Sequence, residues 1–166
     1  MSVAKVLDWL ETLEPPTRSG LSDEGAKAAL QAALHPITEF LKTNPTPQCR
    51  FRRATMVASR TVFTAPLEWV ALLLAGGCQV TLKRPAEALT IWDEWVKTAH
   101  ALPLHVTTER TQIADAELLV AMGSDETIQT LKGTCSTNTT FMGFGHKFSC
   151  VLVTPESTVP DTAIPK

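Results

Sequence analysis

The stretch ATMVASRTVFTAPLEWVALLLAGGCQVTLK, Ala54–Lys83, decides the fold. Ala54–Ser59 is a short run of apolar, small and β-branched residues and reads as a strand. Thr64-Ala65-Pro66 then opens a helix, with Thr64 or Ala65 near the cap and Pro66 in the first turn. Leu67, Val70, Ala71, Leu74 and Ala75 recur at helical spacing, and Gly76-Gly77 stops the helix. Gln79–Leu82 is the next strand, closed by Pro85. A strand, a helix and a strand joined by short turns make a crossover unit whose strands run parallel.

The alternation continues downstream. Leu89–Leu102 carries Ile91, Trp92, Trp95, Val96 and Ala99 at helical spacing. Leu104–Thr107 reads as a third strand and Glu117–Met122 as a fourth. Gly123-Ser124-Asp125-Glu126 breaks straight into a short helix ending near Gly133, and Ser149–Val153 reads as a fifth strand. Upstream the pattern is helical only. Val3, Val6, Leu7 and Leu10 mark an amphipathic helix over residues 3–13, stopped by Pro15-Pro16. Ser22 caps a second helix reaching Lys42, which Pro36 is expected to break or kink. The expected fold is α/β and Rossmann-like: a mostly parallel five-stranded sheet with helices on both faces, plus N-terminal helices. The expected divisions are a helical arm or layer over 1–47, the α/β domain over 48–154 and an irregular tail over 155–166.

Composition narrows the function. The chain has 166 residues, with 15 Lys+Arg against 17 Asp+Glu, a net charge of −2. That balance excludes a strongly basic nucleic-acid binder, and Arg50, Arg52 and Arg53 form only a short basic run. Asp8 and Glu11 interrupt the first segment, so it is not a signal peptide. Glu68 breaks the longest apolar stretch, which is too short to span a membrane. A cytoplasmic protein without membrane contact is expected. The four cysteines, Cys49, Cys78, Cys135 and Cys150, contain no Cys-x-x-Cys, and no histidine spacing suggests a metal.

Ligands of parallel α/β sheets sit beyond the carboxyl ends of the strands. Three segments fall there. Gly123-Ser124 precedes a helix whose first N–H groups attract phosphate, although a plain turn and N-cap explain the same residues. Lys83 and Arg84 follow the second strand. There a lysine can meet ribose hydroxyls or phosphate, or simply be solvated. Arg60, Thr61, Thr64, Glu68 and Trp69 form a polar and aromatic rim at the first strand–helix junction. Neither a GxGxxG fingerprint nor a GxxxxGK[ST] loop is present.

Taken in order, four pieces resemble one family. They are Val57–Trp69, Ala75–Pro85, Ala121–Thr127 and Gly143–Lys147. Together they resemble the nucleotide-binding half of the aldehyde dehydrogenase superfamily, nearest to its acyl-CoA reductase branch, over residues 50–154. The resemblance implies that Lys83 contacts the adenosine ribose of NADP or NAD and that Gly123 and Ser124 lie beside the pyrophosphate. It implies that the loop carrying Ser59, Arg60, Thr61 and Thr64 passes along the cofactor. Arg84 beside Lys83 tilts the expectation toward NADP. Classical members carry a glutamate where Gly143 stands, so the general base is missing here, which suits an acyl-CoA reductase better.

The family's catalytic cysteine lies in a second domain, and no residue of this chain matches it. The expectation is therefore an NAD(P)-binding domain related to acyl-CoA reductase, inactive alone, with an oligomeric state and a partner chain carrying the cysteine domain. The alternative is a non-enzymatic structural, regulatory or nucleotide-sensing protein. A third reading is a different small α/β enzyme built around Glu68, His100 or His146.

Overall fold

A computed structural model describes residues 2–17, 20–109, 113 and 116–145. Its elements, in chain order, are α1 (Val3–Glu11), α2 (Asp23–Thr43), β1 (Arg53–Val57), α3 (Leu67–Ala75), β2 (Gln79–Lys83), α4 (Ile91–Thr98), β3 (Leu104–Thr107), β4 (Leu118–Met122), α5 (Asp125–Thr134) and β5 (Thr140–Phe144). The strands form one sheet in the order β3-β2-β1-β4-β5, every neighbouring pair parallel. The expected fold class is therefore the observed one.

Side-chain alternation along the strands builds both faces. Ala54 and Met56 of β1, Val80 and Leu82 of β2, and Leu118 and Val120 of β4 enter one large core with α1, α2, α3 and α4. Val57, Leu119 and Ala121 point the other way and meet Ile128 and Leu131 of α5. Strands buried on both sides lose their polar rhythm, which is why β1 and β4 read as near-continuous apolar runs.

The N-terminal helices form a layer on this body. Trp9 Nε1–H donates to the carbonyl of Trp95 at 3.1 Å, and Trp95 Nε1–H donates to that of Glu14 at 2.9 Å. Trp92 Nε1–H donates to the Phe63 carbonyl at 3.1 Å. The rings of Trp92 and Trp95 meet edge to face, with centroids 5.1 Å apart. These indoles tie α1 to α4 and hold the loop after β1 from beneath.

Three sequence expectations change. Pro36 does not end α2, which continues through it to Thr43. The ring is on the exposed side, where water can meet the carbonyl left without its N–H donor, and Ile37 and Leu41 beyond it are buried. The helix after β1 starts at Leu67, with Pro66 at its cap instead of Thr64 or Ala65. The fifth strand in chain order is Thr140–Phe144, which the sequence pattern does not mark as a strand and which overlaps the Gly143–Lys147 piece. A β-carbon on its Gly143 would come within 2.6 Å of Ile128 Cγ2, so glycine there lets α5 lie close against the strand. Ser149–Val153, His146, Cys150 and the C-terminal tail lie outside the described residues.

Candidate functional site

The chain reverses direction across the sheet between β1 and β4. In open α/β sheets this topological switch point opens a crevice beyond the strands' carboxyl ends. A cleft of about 910 Å³ lies there. The register brings its floor level: Val57 pairs with both Lys83 and Ala121, and Met122 pairs with Phe144. The amide of Ala58 donates to the Lys83 carbonyl at 3.0 Å, and that of Gly123 to the Phe144 carbonyl at 3.2 Å. These bonds fix the strand ends from which the site residues project.

Ser59, Arg60, Thr61, Lys83, Gly123 and Ser124 all line this cleft. Trp69 and Phe144 form an apolar wall, their ring centroids 5.7 Å apart. Ser124 is the N-cap of α5, accepting from the amide of Thr127 at 3.2 Å, and its hydroxyl lies 2.9 Å from that of Thr127. The N-terminus of α5 thus opens on the cleft as an anion-attracting end. Asp125 and Glu126 in its first turn already place negative charge at that end. The Asp125 carboxylate lies over Gly145, in the space a β-carbon would occupy.

Two expected residues stand outside. Thr64 does not line the cleft; its carbonyl accepts from the Leu67 amide at 2.9 Å in the turn that opens α3. Arg84 is committed elsewhere. Its Nε and Nη2 donate to the two carboxylate oxygens of Asp93 at 3.1 and 2.5 Å. Its Nη1 donates to the carbonyls of Pro85, Ala86 and Ala88 at 2.8, 2.9 and 3.4 Å. The guanidinium fastens the loop after Lys83 onto α4, so it does not extend toward a second phosphate.

The sequence reading missed Thr127, although it lies three residues after a serine N-cap, and missed the wall role of Phe144. It also missed a smaller slot of about 320 Å³ that shares Val57, Lys83 and Thr127 with the cleft and is closed by Ile113, Thr130 and Leu131. On the other side, Arg60 and Thr61 border a polar cavity of about 620 Å³ with Glu87 and Glu94.

His35, His100 and His105 are exposed and none lines the cleft. Among the described residues no cysteine lines it either, and no group of three or more His, Cys, Asp and Glu could hold a metal ion. No described helix is long and apolar enough to cross a membrane.

No family model and no curated protein sequence matches the chain. Among solved structures, it is similar to a NAD-dependent benzaldehyde dehydrogenase from Corynebacterium glutamicum, with a TM-score of 0.56 and 15% identity. The chain shares its fold with part of that dehydrogenase. The match covers 86% of this chain and 38% of the dehydrogenase. A second structure, the gamma-glutamyl phosphate reductase of Saccharomyces cerevisiae, aligns with a TM-score of 0.48 and 14% identity, over 86% of this chain and 45% of the reductase.

Proposed function

We propose that the chain is the nicotinamide-dinucleotide-binding part of a reductase of the aldehyde dehydrogenase superfamily, of the acyl-CoA reductase type. One observation carries the reading: Lys83, the Ser59–Thr61 loop and the Gly123-Ser124 helix start converge on one cleft at the switch point of the sheet. The residues fit such a cofactor. The cleft lies within the range of roughly 300–1,000 Å³ typical of ligand sites. Its apolar wall of Trp69 and Phe144 suits a flat ring. The start of α5 offers backbone donors to a pyrophosphate, and Lys83 stands where the cleft and the smaller slot meet.

In this reading Lys83 holds ribose hydroxyls and Gly123-Ser124 holds phosphate. The Ser59–Thr61 loop, braced through Phe63 by Trp92, keeps the cofactor in place. Bound nicotinamide cofactor supplies a hydride. A cysteine thiolate that receives an acyl group from CoA would come from a further domain or a partner chain. The protein then works as an oligomer or hetero-complex in the cytoplasm.

The test is energy transfer from tryptophan to NADH or NADPH. Saturable transfer that weakens in Trp69→Phe and in Lys83→Ala supports the reading. Transfer that does not saturate overturns it.

A second reading is a structural, regulatory or nucleotide-sensing module without catalysis. Asp125 and Glu126 at the start of α5 favour it, because their charge opposes a pyrophosphate there. It is supported if Asp125→Asn/Glu126→Gln gains cofactor binding that the natural chain lacks.

A further inference from the structure

At the opposite end of the sheet from the cleft, two cysteines meet. Cys49 lies just before β1, and Cys78 immediately precedes β2. The strands are fastened there by the Gln79 amide, which donates to the Arg52 carbonyl at 2.7 Å. Gly76 closes α3, and Gly77, at φ +85°, turns the chain into Cys78. A β-carbon on Gly76 would come within 2.6 Å of Cys49 Cβ. The missing side chain at Gly76 is what lets Cys49 sit directly on this turn. Both cysteines pack into the same core, Cys78 fully buried and Cys49 partly exposed. The Cys78 thiol donates to the Gln79 carbonyl at 3.6 Å, with Cys49 near enough to act on its charge.

We propose that Cys49 and Cys78 form a reversible disulfide that ties the entry of β1 to the turn before β2. Partial exposure makes Cys49 the thiol an oxidant reaches first. A peroxide transfers one oxygen to the Cys49 sulfur, giving a sulfenic acid and releasing water or an alcohol. The Cys78 sulfur then attacks the Cys49 sulfur, its proton leaves with the sulfenic hydroxyl as water, and the S–S bond forms. The pair loses two electrons overall and the peroxide gains them. Burial, then the neighbouring Cys49 and Glu117, pushes the Cys78 thiol up to about 12. Cys78 is therefore inert to external oxidant, and its attack on the Cys49 sulfenic acid depends on the two residues being held together at the Gly76 turn. Thiol exchange with a reductant reopens the bond. The cross-link would restrain the two strands whose far ends carry Ser59 and Lys83. This inference stands independently of what the cleft binds.

The experiment uses the full chain, reduced, treated with hydrogen peroxide, unfolded in the presence of an alkylating agent and mapped by peptide mass spectrometry. The expected product is a Cys49–Cys78 peptide pair lighter by two hydrogens, lost on dithiothreitol treatment. The urea midpoint of the oxidised chain is expected to rise. Cys49→Ser should abolish the pair. Gly76→Ala keeps both thiols but displaces Cys49 from the turn, and should sharply reduce the yield. The proposal is overturned if both cysteines remain alkylatable after oxidation, or if the cross-link joins Cys135 or Cys150 instead. Oxidation of Cys49 to sulfinic acid with Cys78 untouched, or a full yield in Gly76→Ala, overturns it as well.

Discussion

Replacing Asp93 by alanine should loosen the loop that follows Lys83. In the natural chain the Arg84 guanidinium is held by both oxygens of Asp93 and by three loop carbonyls. Two-point pairing of this kind is the stronger form of the arginine–carboxylate contact. The side chain of Arg84 is 11% exposed and that of Asp93 42%. Breaking a fully buried pair costs about 3–5 kcal/mol, whereas an exposed pair contributes about 0–1 kcal/mol. This pair lies between those limits, so Asp93→Ala should cost about 2 kcal/mol after discounting for solvent at the carboxylate. With a urea slope of about 1–3 kcal/mol per molar, the midpoint should fall by about 1 M.

A double-mutant cycle separates this pair from general loop damage. Arg84→Met removes the buried cation and leaves a carboxylate that water can reach. The double variant Arg84→Met/Asp93→Ala should be less destabilised than the sum of the single variants, by about 1–2 kcal/mol. Both single variants should also weaken NADH binding through the loosened flank of Lys83. Effects that add within about 0.5 kcal/mol, or an Asp93→Ala chain that unfolds at the natural midpoint, would refute the reasoning.

Other positions test the packing and the cleft. Gly143→Val should lower the unfolding midpoint by the equivalent of about 1–3 kcal/mol, because its side chain would collide with Ile128; calorimetry reads it directly. Gly123→Ala should leave stability nearly unchanged, since a β-carbon there meets only Thr127 at 3.5 Å or more, yet it should weaken cofactor binding by crowding the cleft. Stability should also fall as pH rises. The folded chain keeps the Cys78 thiol protonated to about 12, while the unfolded chain releases that proton near about 8.5. The contribution is complete below about 8.5 and is lost between there and 12, and Cys78→Ala should flatten that part of the urea-midpoint profile.

Much of the fold was legible because local pattern and burial agree. Ala54–Lys83 contains a strand, a helix and a strand, each with its own periodicity and stop signal, and the structure differs there only at element ends. β5 was hidden because Gly143 weakens the strand pattern. Its strand character comes from pairing with β4 and from the approach of Ile128, both distant in sequence. Pro36 misled in the opposite sense, since the breaking rule ignores that buried Ile37 and Leu41 hold α2 together beyond it.

The site was legible at strand ends, where topology alone dictates that residues meet. Lys83, Gly123 and Ser124 follow that rule. Arg84 adjoins Lys83 in sequence yet points elsewhere, because its partner Asp93 sits on the following helix and no local spacing announces the pair. The tilt toward NADP drew on Arg84 as a phosphate partner, and that support is absent from the geometry. The N-terminal helices read as an arm or a layer; the indole of Trp9 on the Trp95 carbonyl, that of Trp95 on the Glu14 carbonyl, and Leu30, Ile37 and Leu41 of α2 in the shared core make them a layer.

Calorimetric titration of the purified chain with NADH, and in parallel with NADPH, is the most direct measurement of what the cleft does. One saturable site is expected for NADH, with NADPH binding no more tightly because Arg84 is held by Asp93. Absence of heat from both cofactors at millimolar concentration would contradict the cofactor-binding reading.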